Sequence, residues 1–169
     1  MDKRYFLIIF IIGVCVVNLY LIANVSDIVG SASVDVGSYT ISLPNGFSLY
    51  DQDSNQVLLS NPDTKMDIQF FSKVGHRDTF KNKVAEINND TQFKVLSNGT
   101  IDNDGVLVNS LFYQRHDNAR NFSIFYFTKE DHDFRIIVRG FDYDSQKDQV
   151  IDIVCDIVTS IRLNYKIQK

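Results

Sequence analysis

The chain has 169 residues, of which 44% are hydrophobic and 22% are charged, and its formal net charge is −4. These values are typical of one globular domain with an additional segment. Because the acidic balance disfavours contact with a phosphate backbone, no nucleic-acid partner is expected. The two cysteines, Cys15 and Cys155, lie in an apolar N-terminal run and in a predicted C-terminal helix, so no disulfide is expected between them.

Residues 5–23, "YFLIIFIIGVCVVNLYLIA", contain no charged side chain and predict a membrane anchor. As a helix the run is about 29 Å long, which matches the hydrocarbon core of a bilayer. Lys3 and Arg4 precede it, and Asp27 is the first charged residue after it. The positive-inside rule therefore places the N-terminus in the cytoplasm and the rest of the chain outside. We predict a single-pass cell-membrane protein that is anchored by residues 1–25 and contacts the lipid bilayer.

Two alternatives to an uncleaved anchor stay open. A cleaved signal peptide would use the small residues at 30–33 as its cleavage site, although its apolar region is usually shorter than this one. A lipoprotein cleavage box is suggested by "IIGVC" at 11–15, but Val14 is large where a small residue is needed. Residues 26–36 predict a short tether, which leaves residues 37–169 as the extracytoplasmic domain.

Alternating apolar and polar residues predict strands at the start of this domain. "YTISL" at 39–43 alternates, and Pro44-Asn45-Gly46 then predicts a type I turn with proline in its second position and glycine in its fourth. Alternation resumes at Phe47, so we expect a hairpin at a sheet edge. Further strands are predicted at 57–60 and 66–71.

A helix and four strands are predicted next. Thr79 or Asp78 can cap a helix with an apolar stripe, and "NND" at 88–90 ends it. The four strands are predicted at 92–97, 105–115, 121–128 and 133–141. Their short polar connections favour an antiparallel meander. The strand at 121–128 is apolar on both faces, which indicates that both faces are covered.

The last predicted element is an amphipathic helix over residues 144–163. Its apolar face carries Val150, Val154, Ile157, Val158 and Ile161. Ser145 and Asp148 have the spacing of a capping box. We therefore predict an α+β fold: a mostly antiparallel sheet with a middle helix and a C-terminal amphipathic helix packed on it.

This order of elements, with "YTISLPNGF" at 39–47 and "SIRL" at 160–163, resembles the PsbP-like α/β/α sandwich. The resemblance covers about residues 37–163. It implies an extracytoplasmic domain like those of small envelope proteins, which act mostly as accessory or binding modules. It implies no catalytic residues, and the manganese-cluster role of the photosystem subunit is not carried over.

Motifs for catalysis, metals and cofactors are missing from the sequence. It has no G-x-S-x-G, H-E-x-x-H, G-x-G-x-x-G or C-x-x-C motif. "DQDSN" at 51–55 begins like a calcium loop, but Gln56 and Pro62 occupy its glycine and glutamate positions. His116 and His132 flank one strand and are not expected to converge. No catalytic residue, metal site or cofactor is predicted.

Three arginines form the only candidate binding site. Arg135 and Arg139 share one face of the strand at 133–141, and Arg115 ends a strand nearby. They predict a row of positive charges for an anionic ligand. The alternative is that each arginine pairs with an acidic side chain of the domain.

Four Asn-X-Ser/Thr sequons occur, at Asn24, Asn89, Asn98 and Asn121. Asn89 and Asn98 fall in predicted loops and are possible glycosylation sites. Asn121 begins a predicted strand and is a poorer candidate.

The function predicted from these features is a membrane-anchored extracytoplasmic binding or assembly module without catalysis, with a protein partner in the envelope. Two alternatives remain: an enzyme whose acid–base site cannot be read from the sequence, and a purely structural envelope component.

Overall fold

A computed structural model describes residues 32–75 and 78–164. They form an α+β fold in which antiparallel strands make two sheets, with one helix in the middle and one near the C-terminal end. This confirms the predicted fold class for the domain. The predicted anchor over residues 1–25 lies outside the described residues. No helix within 32–75 and 78–164 is long and apolar enough to cross a bilayer.

The larger sheet has seven strands in the order β3-β4-β5-β9-β8-β7-β6. Its strands are β3 (Ser48–Gln52), β4 (Gln56–Asn61), β5 (Met66–Phe71), β6 (Phe93–Asn103), β7 (Val106–Arg115), β8 (Asn121–Lys129) and β9 (His132–Arg139). The smaller sheet consists of β1 (Ser33–Val36), β2 (Tyr39–Ser42) and β10 (Arg162–Leu163), with β2 in the centre. The helices are α1 (Phe80–Asn89) and α2 (Tyr143–Ser160).

The small sheet differs most from what the sequence predicts. Ser33–Val36 falls within the predicted tether, yet it pairs with β2 and buries Val34 and Val36. The C-terminal helix ends at Ser160 instead of residue 163, because Ile161 is extended (φ −58°, ψ 127°) and Arg162 pairs with Thr40 of β2. The closing "SIRL" motif therefore joins a helix to an edge strand.

The sequence predicts a hairpin at the Pro-Asn-Gly turn, but in the structure this turn does not close one. Its hydrogen bond runs from the Phe47 N–H to the Pro44 carbonyl (3.0 Å), which makes proline the first residue of the turn and Gly46 the third. Gly46 has φ +80°, which favours glycine. Because β2 belongs to the small sheet and β3 to the large one, this turn carries the chain from one sheet to the other.

Side chains on both faces of the large sheet are buried. On one face α2 and the small sheet complete the main core, which includes Ile41, Phe70, Phe125 and Val154. On the other face α1 packs over β6, β7 and β8 around Ile87. Strand β8 is thus covered on both sides, as its apolar pattern predicted.

The two helices begin differently. Thr79 caps α1 as predicted, and its hydroxyl accepts a hydrogen bond from the Asn82 N–H (3.3 Å). Helix α2 begins after Asp142, not at the predicted Ser145/Asp148 box. The Asp142 carboxylate accepts a hydrogen bond from the Ser145 hydroxyl (2.6 Å). The backbone N–H of Asp142 donates to the Gln146 side-chain oxygen (2.8 Å).

Candidate binding site

Helix α1 covers only part of its side of the large sheet. It packs on β6, β7 and β8, whereas the side chains of β4, β5 and β9 on that side stay half-buried. Strand register places nine side chains together there: Gln56, Leu58, Ser60, Asp67, Gln69, Phe71, Arg135, Ile137 and Arg139. We call these nine residues the open face.

Several polar groups on the open face are bonded to their neighbours on adjacent strands. The Gln69 amide donates to the Gln56 side-chain oxygen (3.3 Å), and the Ser60 hydroxyl donates to the Asp67 carboxylate (2.8 Å). Such cross-strand pairs hold the side chains in defined positions. The open face therefore offers an ordered mixture of apolar and hydrogen-bonding groups.

Arg135 forms an ion pair with Asp78, and its guanidinium lies over the Phe71 ring, 4.0 Å from the ring centroid. The Tyr126 hydroxyl donates to the other Asp78 oxygen (2.5 Å). Since Asp78 directly precedes the helix cap Thr79, this cluster fixes the start of α1 to strands β8 and β9. At Arg135 the predicted alternative, pairing with an acidic residue of the domain, is what the structure shows.

Arg115 also has an acidic partner. Its guanidinium lies 3.0 Å from the Asp117 carboxylate, and the two side chains are 41% and 56% exposed. A pair this exposed contributes little to stability because water and salt screen it. The pair nevertheless gives Arg115, one of the three arginines of the predicted row, an acidic partner within the domain.

Arg139 is different, because no carboxylate oxygen of residues 32–75 or 78–164 lies within 4.0 Å of its guanidinium. Its Nε is shielded from solvent and has no hydrogen-bond partner in the described part of the chain. Asp67 is its register partner on β5, but that carboxylate is bonded to the Ser60 hydroxyl.

Arg139 lines a cleft of about 430 Å³, together with Asp67, Asn118, Arg120, Phe122 and Phe141. Neither Arg115 nor Arg135 lines this cleft. All three arginines of the predicted row lie on strands, as predicted, but they do not line one cleft. Arg139 shares its cleft with Arg120, which was not predicted. Arg120 was missed because it lies in the irregular loop "HDNAR", where no periodicity predicts the direction of a side chain.

Hydrogen bonds hold the backbone of this loop in place. The Arg115 N–H donates to the Arg120 carbonyl (2.9 Å), and the Arg120 N–H donates to the Asn118 side chain (3.1 Å). Ala119, between them, has φ +53°, and its carbonyl accepts a hydrogen bond from the Gln114 amide (3.3 Å). Buried Asn121 then donates to the Phe141 carbonyl (3.2 Å), which links the two chain segments on either side of the cleft.

The glycosylation candidates are both exposed. Asn89 is the last residue of α1, and Asn98 lies within β6 instead of the predicted loop. The loop prediction was wrong because β6 is an edge strand whose second half is polar, and the chain turns only at Asp104-Gly105, where φ is +53° and +85°.

In a host with N-glycosylation machinery we expect glycan on Asn89 or Asn98 but none on Asn121. The Asn121 side chain is 8% exposed, and both its oxygen and its nitrogen are hydrogen-bonded within the domain. Mass spectrometry of glycopeptides measures occupancy at each site. A folded, glycosylated product modified at Asn121 would contradict the burial of this side chain.

Two tyrosines on this side of the sheet resist ionisation. Burial, with a smaller effect of Glu86, raises the pKa of Tyr113 to about 12, although Arg139 opposes the shift. Burial and the hydrogen bond to Asp78 raise the pKa of Tyr126 further. The fold therefore favours the neutral phenols.

We expect this to make the domain lose stability in alkali. The pKa of each group is higher in the folded than in the unfolded chain, so the stabilisation is complete below about pH 10 and is lost as the pH rises towards 12. Urea unfolding at several pH values measures this loss. Tyr113→Phe should reduce the slope of stability against pH. An unchanged slope would contradict the assignment of this alkaline loss to Tyr113.

Other residues considered from the sequence do not form a site. His116 and His132 lie at opposite ends of β8, and His76 is outside the described residues. Asp53, in the calcium-like stretch, accepts hydrogen bonds from the N–H groups of Asn55 (2.8 Å) and Gln56 (3.0 Å), as in a hairpin turn. No cluster suited to a metal ion occurs among residues 32–75 and 78–164.

No protein-family model matches this sequence, and no curated protein is significantly similar to it.

Solved structures with a similar fold include cyanobacterial PsbP from Synechocystis sp. PCC 6803, at 15% identity and a TM-score of 0.48, over 75% of this chain and 86% of that protein. LpqN, which is involved in cell envelope biogenesis in Mycobacterium tuberculosis, is 15% identical with a TM-score of 0.44, over 79% of this chain and 90% of LpqN. The type VI secretion immunity protein TplEi of Pseudomonas aeruginosa is 13% identical with a TM-score of 0.42, over 64% of this chain and 43% of TplEi. PsbP belongs to the family that the sequence motifs resemble, and the likeness is one of fold.

Proposed function

We propose that this chain is a single-pass membrane protein whose outward-facing domain binds a protein partner without catalysis. The observation that carries the proposal is the open face, where α1 leaves β4, β5 and β9 half-buried. The membrane anchor and its orientation rest on the apolar run at residues 5–23 and on Lys3 and Arg4 before it.

The chemistry of the open face suits a folded or extended protein surface. Leu58, Phe71 and Ile137 supply apolar contact area, and the glutamine and serine side chains beside them can exchange hydrogen bonds with a partner. Interfaces commonly combine an apolar centre with a polar rim in this way. The proposal commits to a partner that places an acidic residue near Arg139, the open-face arginine without a carboxylate partner in the described chain.

Absence of catalysis is supported by how the titratable groups are used. One close group of titratable side chains, Asp78, Tyr126 and Arg135, bonds within itself. The adjoining cleft of about 480 Å³ has Asp78 and Asp133 in its lining, and the Asp133 carboxylate accepts a hydrogen bond from the Thr128 hydroxyl (2.7 Å). These contacts tie secondary-structure elements together and suit a structural role.

A photocrosslinking experiment tests the binding face. A photoreactive amino acid replaces Gln69, at the centre of the open face, in the full chain in its native membrane. The matched control carries it at Asp152, which is exposed on α2. We expect one discrete protein adduct from position 69, absent from position 152 and reduced by Arg139→Glu. Equal adducts at both positions, or none at position 69, would overturn the proposal.

Orientation is tested separately by labelling. Ser54 lies in the exposed turn between β3 and β4, so Ser54→Cys in a chain that lacks the two native cysteines provides one accessible thiol. A membrane-impermeant maleimide should label this thiol in intact cells. Labelling only after the cells are broken would reverse the proposed orientation.

A further inference from the structure

We infer that the cleft between Arg139 and Arg120 binds a carboxylate group. The inference deepens the proposed function, because it assigns the acidic group of the partner to a particular site. It rests on two arginines that line one cleft of about 430 Å³, neither of which has a carboxylate partner within 4.0 Å among residues 32–75 and 78–164.

Arg139 has a donor that the domain does not use. Its Nε is buried without a hydrogen-bond partner in the described chain, which is unfavourable for a polar donor. Arg115 and Arg135 also have an unpaired Nε, but each of them has a carboxylate at a terminal nitrogen. The two terminal nitrogens of Arg139 are neither shielded from solvent nor paired with a carboxylate of the described chain, so a carboxylate in the cleft can accept from both of them in a bidentate geometry.

Arg120 lines the same cleft from the loop between β7 and β8. The hydrogen bond from its N–H to Asn118 and the bond from Arg115 to its carbonyl fix its backbone. Its side chain is exposed, so it reaches a ligand at little desolvation cost, whereas the Arg139 side chain is half-buried. Asn118, with an amide side chain, also lines the cleft.

The charge balance favours a carboxylate over a phosphate. Asp67 shares the cleft with the two arginines, so the lining carries one net positive charge. A monoanion suits that charge, whereas a phosphate dianion would be repelled by Asp67 without a third cation to compensate. Phe122 and Phe141 provide apolar walls, which suit a carboxylate carried on an apolar body.

The test uses the full chain in detergent micelles with its arginines labelled by nitrogen-15. Sodium benzoate is the probe, benzamide is its neutral analogue, and inorganic phosphate is the competing oxyanion. Proton–nitrogen spectra resolve the arginine Nε–H signals, and spectra of Arg139→Gln and Arg120→Gln assign the two cleft signals. Benzoate should shift the Arg139 and Arg120 signals with saturation, while benzamide should leave them in place.

The variants separate a binding role from a structural one. Arg120→Gln changes an exposed side chain and should weaken benzoate about tenfold without changing the melting temperature. Arg115→Gln, which removes an arginine outside the cleft, should leave benzoate affinity unchanged. No saturable shift with benzoate, an equal shift with benzamide, or a shift by phosphate alone would overturn the inference. Loss of benzoate binding with the Gln69 crosslink retained would leave protein docking intact, so the two proposals fail separately.

Discussion

Replacing Gly140 with alanine should destabilise the domain by about 3 kcal/mol or more. Gly140 follows β9 with φ +78°, a conformation that costs an L-residue about 1–2 kcal/mol. A β-carbon at this position would also lie 2.1 Å from the Lys65 backbone carbonyl oxygen. Since that neighbour is backbone, the clash can be relieved only by moving the turn between β4 and β5 away from the end of β9.

Urea unfolding of the full chain in detergent micelles measures the Gly140→Ala effect. Gly99→Ala is the matched control, because Gly99 lies in β6 with open space around its missing β-carbon. The control should be neutral or slightly stabilising, since alanine restricts the unfolded chain more than glycine. Equal midpoints for the two variants would show that the close approach to Lys65 can be relieved at little cost.

The same substitution should disturb the cleft. Gly140 and Asp67 both line it, and the turn that Gly140 touches leads into β5, where Asp67 is the second residue. A displaced turn would change the distance between Asp67 and Arg139. The electrostatic potential that a ligand meets in the cleft would change with it. The close backbone approach of Gly140 to Lys65 is therefore one of the contacts that hold this wall of the cleft.

The parts of the fold that the sequence predicted depend on local periodicity. Alternation in β5, β8 and β9 identified strands and also placed Arg135 and Arg139 on one face, because side chains point to opposite faces in turn. The stripes on α1 and α2 arise from the same kind of local signal. These elements were therefore predicted within a few residues of their ends.

The errors concern features for which the local sequence pattern was weak or misleading. Strands β1 and β10 are short, and only their pairing with β2 makes them strands. The Pro-Asn-Gly turn was interpreted as a hairpin because adjacent strands commonly pair, whereas here they belong to different sheets. The polar second half of β6 resembled a loop, since exposure on a sheet edge removes the apolar signal.

The binding site could be predicted only in part for the same reason. The face that carries Arg135 was evident, but its partner Asp78 is 57 residues away in the sequence. The sequence places Asp78 at the start of a predicted helix, but no local pattern indicates that this helix packs over β8. Likewise, Arg120 reaches the cleft beside Arg139 only because the loop between β7 and β8 folds back next to the end of β9.

Replacing Asp78 with alanine should destabilise the domain by about 2 kcal/mol. The change removes the carboxylate that pairs with Arg135 and accepts the Tyr126 hydroxyl. The Arg135 side chain is only 19% exposed, so its charge would lose its partner where water compensates poorly. The start of α1 would also lose its link to the sheet, so hydrogen exchange should increase at the first turn of this helix.

Asp117→Ala provides the matched control for Asp78→Ala. It also removes the acidic partner of an arginine, but the Arg115–Asp117 side chains are 41% and 56% exposed, so the loss should be below about 0.5 kcal/mol.

Tyr126→Phe should cost about 1 kcal/mol, and its combination with Asp78→Ala should cost less than the two changes added, since both remove one shared hydrogen bond. Equal losses for Asp78→Ala and Asp117→Ala, or full additivity with Tyr126→Phe, would show that the three side chains do not act as one cluster. The cluster would then be unable to account for the position of α1, whose placement determines how much of the open face remains accessible.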